Sequence, residues 1–300
     1  MTMLNFDELF AAADALSAPV PVVAAGGADS TVIQALELAR RRGWVDPILT
    51  GDEQQIRELA AGLDIDLSPF TLVPDAADSA IKAVRCVTTG RAKLLLKGQL
   101  PTPNLMKAIL QRDGGLRTGK TICQVVLMEI TRDRRTFLLA DTGITIDPNP
   151  QQQAEILTAT LEVARSLGCD SPRVALMAAT EKANEAMPET LAQTALVERA
   201  QAREFGPCVV AGPLSFDLAY ASVAGARKGI GGDVTGQADA MVFPNLLSAN
   251  LTVKSMMYTA DCRFGGILKG TSSPVVFMSR ADNVETRLHS IAFALHTLPQ

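Results

Sequence analysis

Ser279, Arg280 and Asp282 follow an apolar run (Pro274 to Met278) and precede the last helical stretch of the chain. A guanidinium is a planar fork that matches the oxygens of a phosphate. A serine hydroxyl beside it can donate a hydrogen bond, and the aspartate can pair with the arginine or serve as a base. The same spacing also fits a plain strand end followed by a helix, whose dipole favours an N-terminal aspartate. Spacing alone leaves both readings open.

Ligands of open α/β sheets bind outside the carboxyl ends of the strands. The other apolar runs end in Gly26-Gly27, Lys97-Gly98, Asp141-Thr142-Gly143, Gly212-Pro213 and Pro244-Asn245. Ordinary strand-to-helix loops use the same residue types for backbone reasons, but the set as a whole points to a shared cleft. Gly26-Gly27 lacks the dinucleotide fingerprint and reads as a simple turn. Gly229-Ile230-Gly231-Gly232-Asp233 could offer backbone amides to an anion, and a flexible loop explains it equally. The sequence holds neither a Walker-type loop nor a G-x-S-x-G elbow, which argues against P-loop nucleotide hydrolysis and an α/β-hydrolase. Its two histidines, His289 and His296, read as packing or surface residues, and no metal site is expected. The five cysteines are widely spaced without a C-x-x-C, which supports neither a disulfide framework nor a zinc site. They read as small core residues.

Short apolar runs and longer helical stretches alternate along the chain. Strands are expected at Pro19–Ala25, 46–50, 70–73, 92–96, 122–130, 136–140, 173–178, 208–211, 240–243, 266–268 and 275–278. Helices are expected at about 30–43, with Ser30 as N-cap, and at 52–62, 75–90, 103–111, 151–168, 187–204 and 283–298. This order predicts an α/β protein with mostly parallel sheets. Runs such as Val125–Ile130 suit strands covered on both faces. The Asp-, Gly- and Pro-rich stretch 141–150 is a candidate domain boundary.

The 300 residues suggest two domains at about 150 residues each. A formal net charge of −4 and 4% aromatic content argue against a nucleic-acid protein. No uncharged apolar stretch approaches the roughly 18 residues of a membrane span. The N-terminal stretch carries Asp7, Glu8 and Asp14 and reads as an amphipathic helix rather than a signal peptide. A reduced, cytoplasmic setting is expected.

Longer segments carry a resemblance. Gly212–Ala219 (GPLSFDLA), Asp239–Lys254 (DAMVFPNLLSANLTVK) and Gly265–Asp282 (GGILKGTSSPVVFMSRAD) resemble the hallmark segments of the phosphate acetyl/butyryl transferases. Ala140–Pro150 (ADTGITIDPNP) and Leu116–Glu129 (LRTGKTICQVVLME) support it, in consistent order from about Pro19 to Ala294. The forms KGTSSPVV and SRAD look closer to the butyryl branch. The resemblance implies a two-domain, isocitrate/isopropylmalate dehydrogenase-like α/β fold with the active site in a cleft between the domains. Carried over, residues 1–140 with 276–300 form one domain and 141–275 the other. The implied reaction is acyl-CoA + phosphate ⇌ acyl phosphate + CoA with a short acyl chain, by a homodimer or larger assembly without a resident cofactor. Ser279 is linked to the reacting thiol or carbonyl and Arg280 to the phosphate. Lys97, Thr102, Pro213, Asn250 and Lys254 fall at motif positions that bind substrate.

Three positions depart from the acetyl branch. Its proposed base, seven residues after the serine, is Thr286 here, leaving Asp282 as the nearest carboxylate. A cysteine common after the Ala-Asp pair is Thr142, and a Leu-Arg-Pro-Ala segment reads Leu105-Met106-Lys107-Ala108. These favour a butyryl-like substrate or direct attack by phosphate. Two other readings use the same fold: a non-catalytic sensor of CoA or acyl phosphate, and a hydroxy-acid dehydrogenase. Retention of Ser279 and Arg280 speaks against the first. The second lacks clustered metal-binding aspartates in the sequence.

Overall fold

The computed structural model describes residues 3–75, 77–277, 279 and 282–298. Along the chain run α1 (Phe6–Asp14), β1 (Val20–Ala25), α2 (Ser30–Arg41), β2 (Val45–Gly51), α3 (Glu53–Gly62), β3 (Thr71–Pro74), α4 (Ser79–Thr88), β4 (Leu94–Lys97) and α5 (Thr102–Ile109). Then come β5 (Cys123–Ile130), β6 (Arg135–Ala140), α6 (Pro150–Ser166), β7 (Arg173–Met177), α7 (Pro188–Gln201), β8 (Val209–Leu214), α8 (Phe216–Tyr220), α9 (Ser222–Lys228), β9 (Ala240–Val242) and α10 (Leu246–Thr259). The chain continues through β10 (Cys262–Lys269), β11 (Val275–Val276) and α11 (Val284–His296). It divides into two compact units. One joins Phe6–Lys120 to Phe264–Gln300, and the other joins Met1–Asn5 to Thr121–Arg263.

In the head-and-tail unit the strand order is β3-β2-β1-β4-β11-β10. All neighbours pair in parallel except β10 with β11. The LLLK run of β4 is buried throughout, as a parallel strand covered on both faces requires. Strands β2 and β3 are laid to one side of β1, after which the chain crosses back and sets β4 on the other. This reversal makes the carboxyl ends of β1 and β4 a topological switch point, the position at which open α/β sheets form ligand crevices. Helix α11 packs on α1 and α2. There His289 is buried, its ring centroid 4.4 Å from Phe6 and 5.5 Å from Phe10, so it takes the packing alternative.

The middle unit has the order β5-β6-β9-β7-β8. Strands β6, β9, β7 and β8 run parallel, and β5 pairs antiparallel with β6 across a tight turn. Strand β9 returns between β6 and β7, which creates a second switch point at the ends of β7 and β9. Helix α6 opens with Pro150 in its first turn. A reciprocal capping box between Asn149 and Gln152 satisfies donors that the helix itself leaves free.

The sheets are mixed because β5 and β10 are antiparallel to their neighbours. Asp29, not Ser30, caps α2, its carboxylate accepting the amides of Thr31 and Val32. A carboxylate one residue earlier reaches both donors and interacts well with the helix dipole. Helix α10 was not expected from the sequence. Its face away from the core carries the exposed Leu247, Leu251 and Tyr258, so its apolar residues show no single stripe. The short helices α8 and α9 give too little periodicity to read. No described helix is long and apolar enough to cross a membrane.

Candidate active site

At the switch point of the head-and-tail unit, β1 runs into Gly26-Gly27 and β4 into Gly98. The Gly98 amide donates to the Ala25 carbonyl (2.8 Å) and the Gln99 amide to the Gly26 carbonyl (2.8 Å). Gly26 has φ +74°, the left-handed region that costs glycine little. A Cβ on Gly98 would stand 2.1 Å from the Gly26 oxygen. The glycines therefore allow two strand-end turns to lace together closely. Gly98→Ala should lower stability by about 3 kcal/mol or more, since backbone has to move. A melting midpoint within about 2 °C of wild type would contradict this close approach.

Lys97 ends β4 and is only 3% exposed, its Nζ donating to the Gly98 carbonyl at 3.4 Å. From α11, Arg287 is brought to the same place and is 1% exposed. Its Nε donates to the Thr31 hydroxyl (2.8 Å) and its Nη1 to the Lys97 carbonyl (3.4 Å), while Nη2 lies 3.8 Å from the Asp29 carboxylate. Burial holds the Arg287 pKa below the ordinary guanidinium range, opposed by the charges of Asp29 and Asp282. Beyond β11, the Ser279 amide donates to the Asp282 carboxylate (2.7 Å) and the Asp282 amide to the Ser279 carbonyl (3.2 Å), closing a turn. Asn283 caps α11 by accepting from the amide and hydroxyl of Thr286, each at 2.9 Å. Thr286 is thus a buried capping partner rather than a base. Thr102 lies exposed at the first position of α5. Arg280 lies outside the described residues.

In the middle unit the Asp141 carboxylate, 3% exposed, accepts the amides of Gln124 (2.9 Å), Gly143 (3.0 Å), Ile144 (3.2 Å) and Thr145 (2.7 Å). Burial pushes its carboxyl up while the four amides pull it down. The loop after β6 is shaped around this one side chain. Asn250, on α10, donates to the Thr142 carbonyl at 3.2 Å, and Lys254 lies exposed one turn further on. Pro213 is buried in β8, three strands along the sheet from β6, the strand against which α10 with Asn250 packs. Gly229 ends α9 in the left-handed conformation of a helix C-cap, a backbone use for the glycine-rich loop.

Lys97 thus ends β4, and Ser279 and Asp282 follow its parallel neighbour β11. Asp29, Thr31 and Arg287 were not singled out in the sequence. The one available signal for Arg287 was a charge placed just ahead of the apolar run Ile291–Leu295 in a helix buried along most of its length. Among the described residues, no group of three or more His, Cys, Asp or Glu side chains is arranged to hold a metal.

The model of the family described as "Phosphate acetyl/butaryl transferase" matches residues 75–295. The chain belongs to this family. It is similar to a transferase of Clostridium acetobutylicum named phosphate butyryltransferase, with 37% identity over 91% of this chain and 91% of that one. A Rhizobium meliloti protein named phosphate acetyltransferase is 34% identical over 97% of this chain and 92% of its own. Among solved structures, a branched-chain phosphotransacylase from Enterococcus faecalis superposes with a TM-score of 0.83 at 30% identity, covering 93% of this chain and 98% of that one.

Proposed function

We propose that this protein is a phosphate acyltransferase that moves a short acyl group, of butyryl type, between CoA and inorganic phosphate. The observation that carries the reading is the end-to-end match to the butyryltransferase relative, 37% identical over 275 residues. A phosphate oxygen attacks the thioester carbonyl carbon. The tetrahedral adduct then expels the sulfur, which takes up the proton that phosphate gives up, so that acyl phosphate and CoA thiol result. Both ends of this exchange are activated acyl groups, so the protein's task is to hold the reactants together and stabilise an oxyanion.

In this reading Arg280 clamps phosphate and Ser279 donates to the developing oxyanion or the departing sulfur. Asp282 keeps the Ser279 turn in shape, as its contact with the Ser279 amide supports. Lys97 and Thr102 serve the phosphate side, and Asn250 and Lys254 the CoA or acyl side, while Pro213, buried in β8, is left out of the site. The isocitrate/isopropylmalate dehydrogenase-like fold belongs to the same proposal, supported by the division into two α/β units. So do a homodimeric, cytoplasmic enzyme and the absence of a resident cofactor. A sensor without turnover draws no support from relatives whose names are those of transferases.

Thiol release from acetyl- to valeryl-CoA, followed with and without phosphate, tests the proposal. Release that requires phosphate and is fastest with butyryl- or branched four- and five-carbon acyl-CoA is expected. No phosphate-dependent release from any of them would overturn it.

A further inference from the structure

We propose that Arg287 is a positioning residue that presets the end of β4 and the start of α2 beside the proposed phosphate site, an inference that rests on the acyl-transfer reading above. Its guanidinium is almost fully buried, so it acts through its neighbours rather than on substrate. Each of its contacts goes to an element end beside the switch point. The Thr31 hydroxyl and the Asp29 carboxylate belong to the start of α2, and the Lys97 carbonyl closes β4. The helix that carries Arg287 begins two residues after Asp282, and the Asp282 charge acts on the guanidinium. One rigid fork therefore ties the end of β4 at Lys97 and the α2 terminus to the helix that starts two residues after Asp282.

Packing alone does not explain this choice. A guanidinium buried beside one carboxylate at 3.8 Å and two neutral acceptors keeps much of its desolvation cost, where an apolar side chain of similar length has none. Asp29 is also occupied in capping α2. Arg287 and Lys97 thus place two cations beneath the strand ends where an anionic reactant is proposed to sit. A lysine at position 287 would keep the charge but not the fork, and a methionine would keep only the volume.

Steady-state kinetics with butyryl-CoA and phosphate on wild type, Arg287→Lys and Arg287→Met test the inference, together with calorimetric titration of inorganic phosphate. Arg287→Met should raise the KM for phosphate at least about tenfold while the KM for acyl-CoA stays within about twofold, with Arg287→Lys falling in between. Calorimetry should show the same loss of phosphate affinity without turnover. Should Arg287→Met fail to fold, Thr31→Val removes one acceptor and should shift the phosphate KM in the same direction by a smaller factor. A folded Arg287→Met with unchanged phosphate KM and affinity would overturn the inference. So would a rise in both KM values together that lysine does not relieve, the pattern of a merely structural role. If wild type released no thiol yet bound phosphate in an Arg287-dependent way, the acyl-transfer reading would fall and the positioning role would stand.

Discussion

Arg280→Ala should reduce phosphate-dependent thiol release by about a hundredfold or more, the loss typical when a donor aimed at transition-state charge is removed. The reaction gathers negative charge on phosphate and on the carbonyl oxygen at once. Water in the vacated space would screen that charge weakly and without fixed geometry. Arg280→Lys should recover part of the loss, because an ammonium restores the charge but not the two parallel donors. The KM for phosphate should rise more than that for acyl-CoA. Melting temperature and circular dichroism should stay close to wild type, which separates a loss of chemistry from a loss of fold. Normal phosphate-dependent turnover by Arg280→Ala would remove this residue from the proposed machinery.

Asp141→Ala should have the largest effect on stability. Four backbone amides end on that one buried carboxylate. Removing one partner of a buried charged cluster costs about 3–5 kcal/mol. At about 2–4 °C per kcal/mol for a unit of this size, the melting midpoint should drop by about 6–20 °C. Asp141→Asn should fall between, because its carbonyl still accepts while its amino group faces donors. The loop after β6 also presents the Thr142 carbonyl to Asn250, so turnover measured below the lowered midpoint should decline as well. A midpoint within about 2 °C of wild type would show that the loop holds its shape without this carboxylate.

Much of the architecture was legible in the sequence because its signals are local. The apolar run 92–96 reads as a strand, and the described strand β4, Leu94–Lys97, is buried throughout and shifted to include the lysine. The helix expected at 151–168 is α6, and the structure adds its capping box of Asn149 and Gln152. Helix α10 was not expected, because Leu247, Leu251 and Tyr258 face away from the core and erase the amphipathic period. The cap of α2 lay one residue from the expected position, since aspartate and serine both suit an N-cap and only the backbone geometry chooses between them.

The candidate site divides in the same way. Ser279, Asp282 and Lys97 were marked by residue type and by their place after apolar runs. The sequence by itself determined the family, through several long segments in register, and with it the chemistry to be expected of those residues. Tertiary structure alone decided that Arg287 meets Thr31 across 256 positions and Lys97 across 190. It also decided that Thr286 caps a helix and that Asp141 gathers four amides. The physical reason is the same throughout. Strand and cap signals reside in neighbouring residues, whereas the environment of a buried charge is set by which strands cross over to lie side by side.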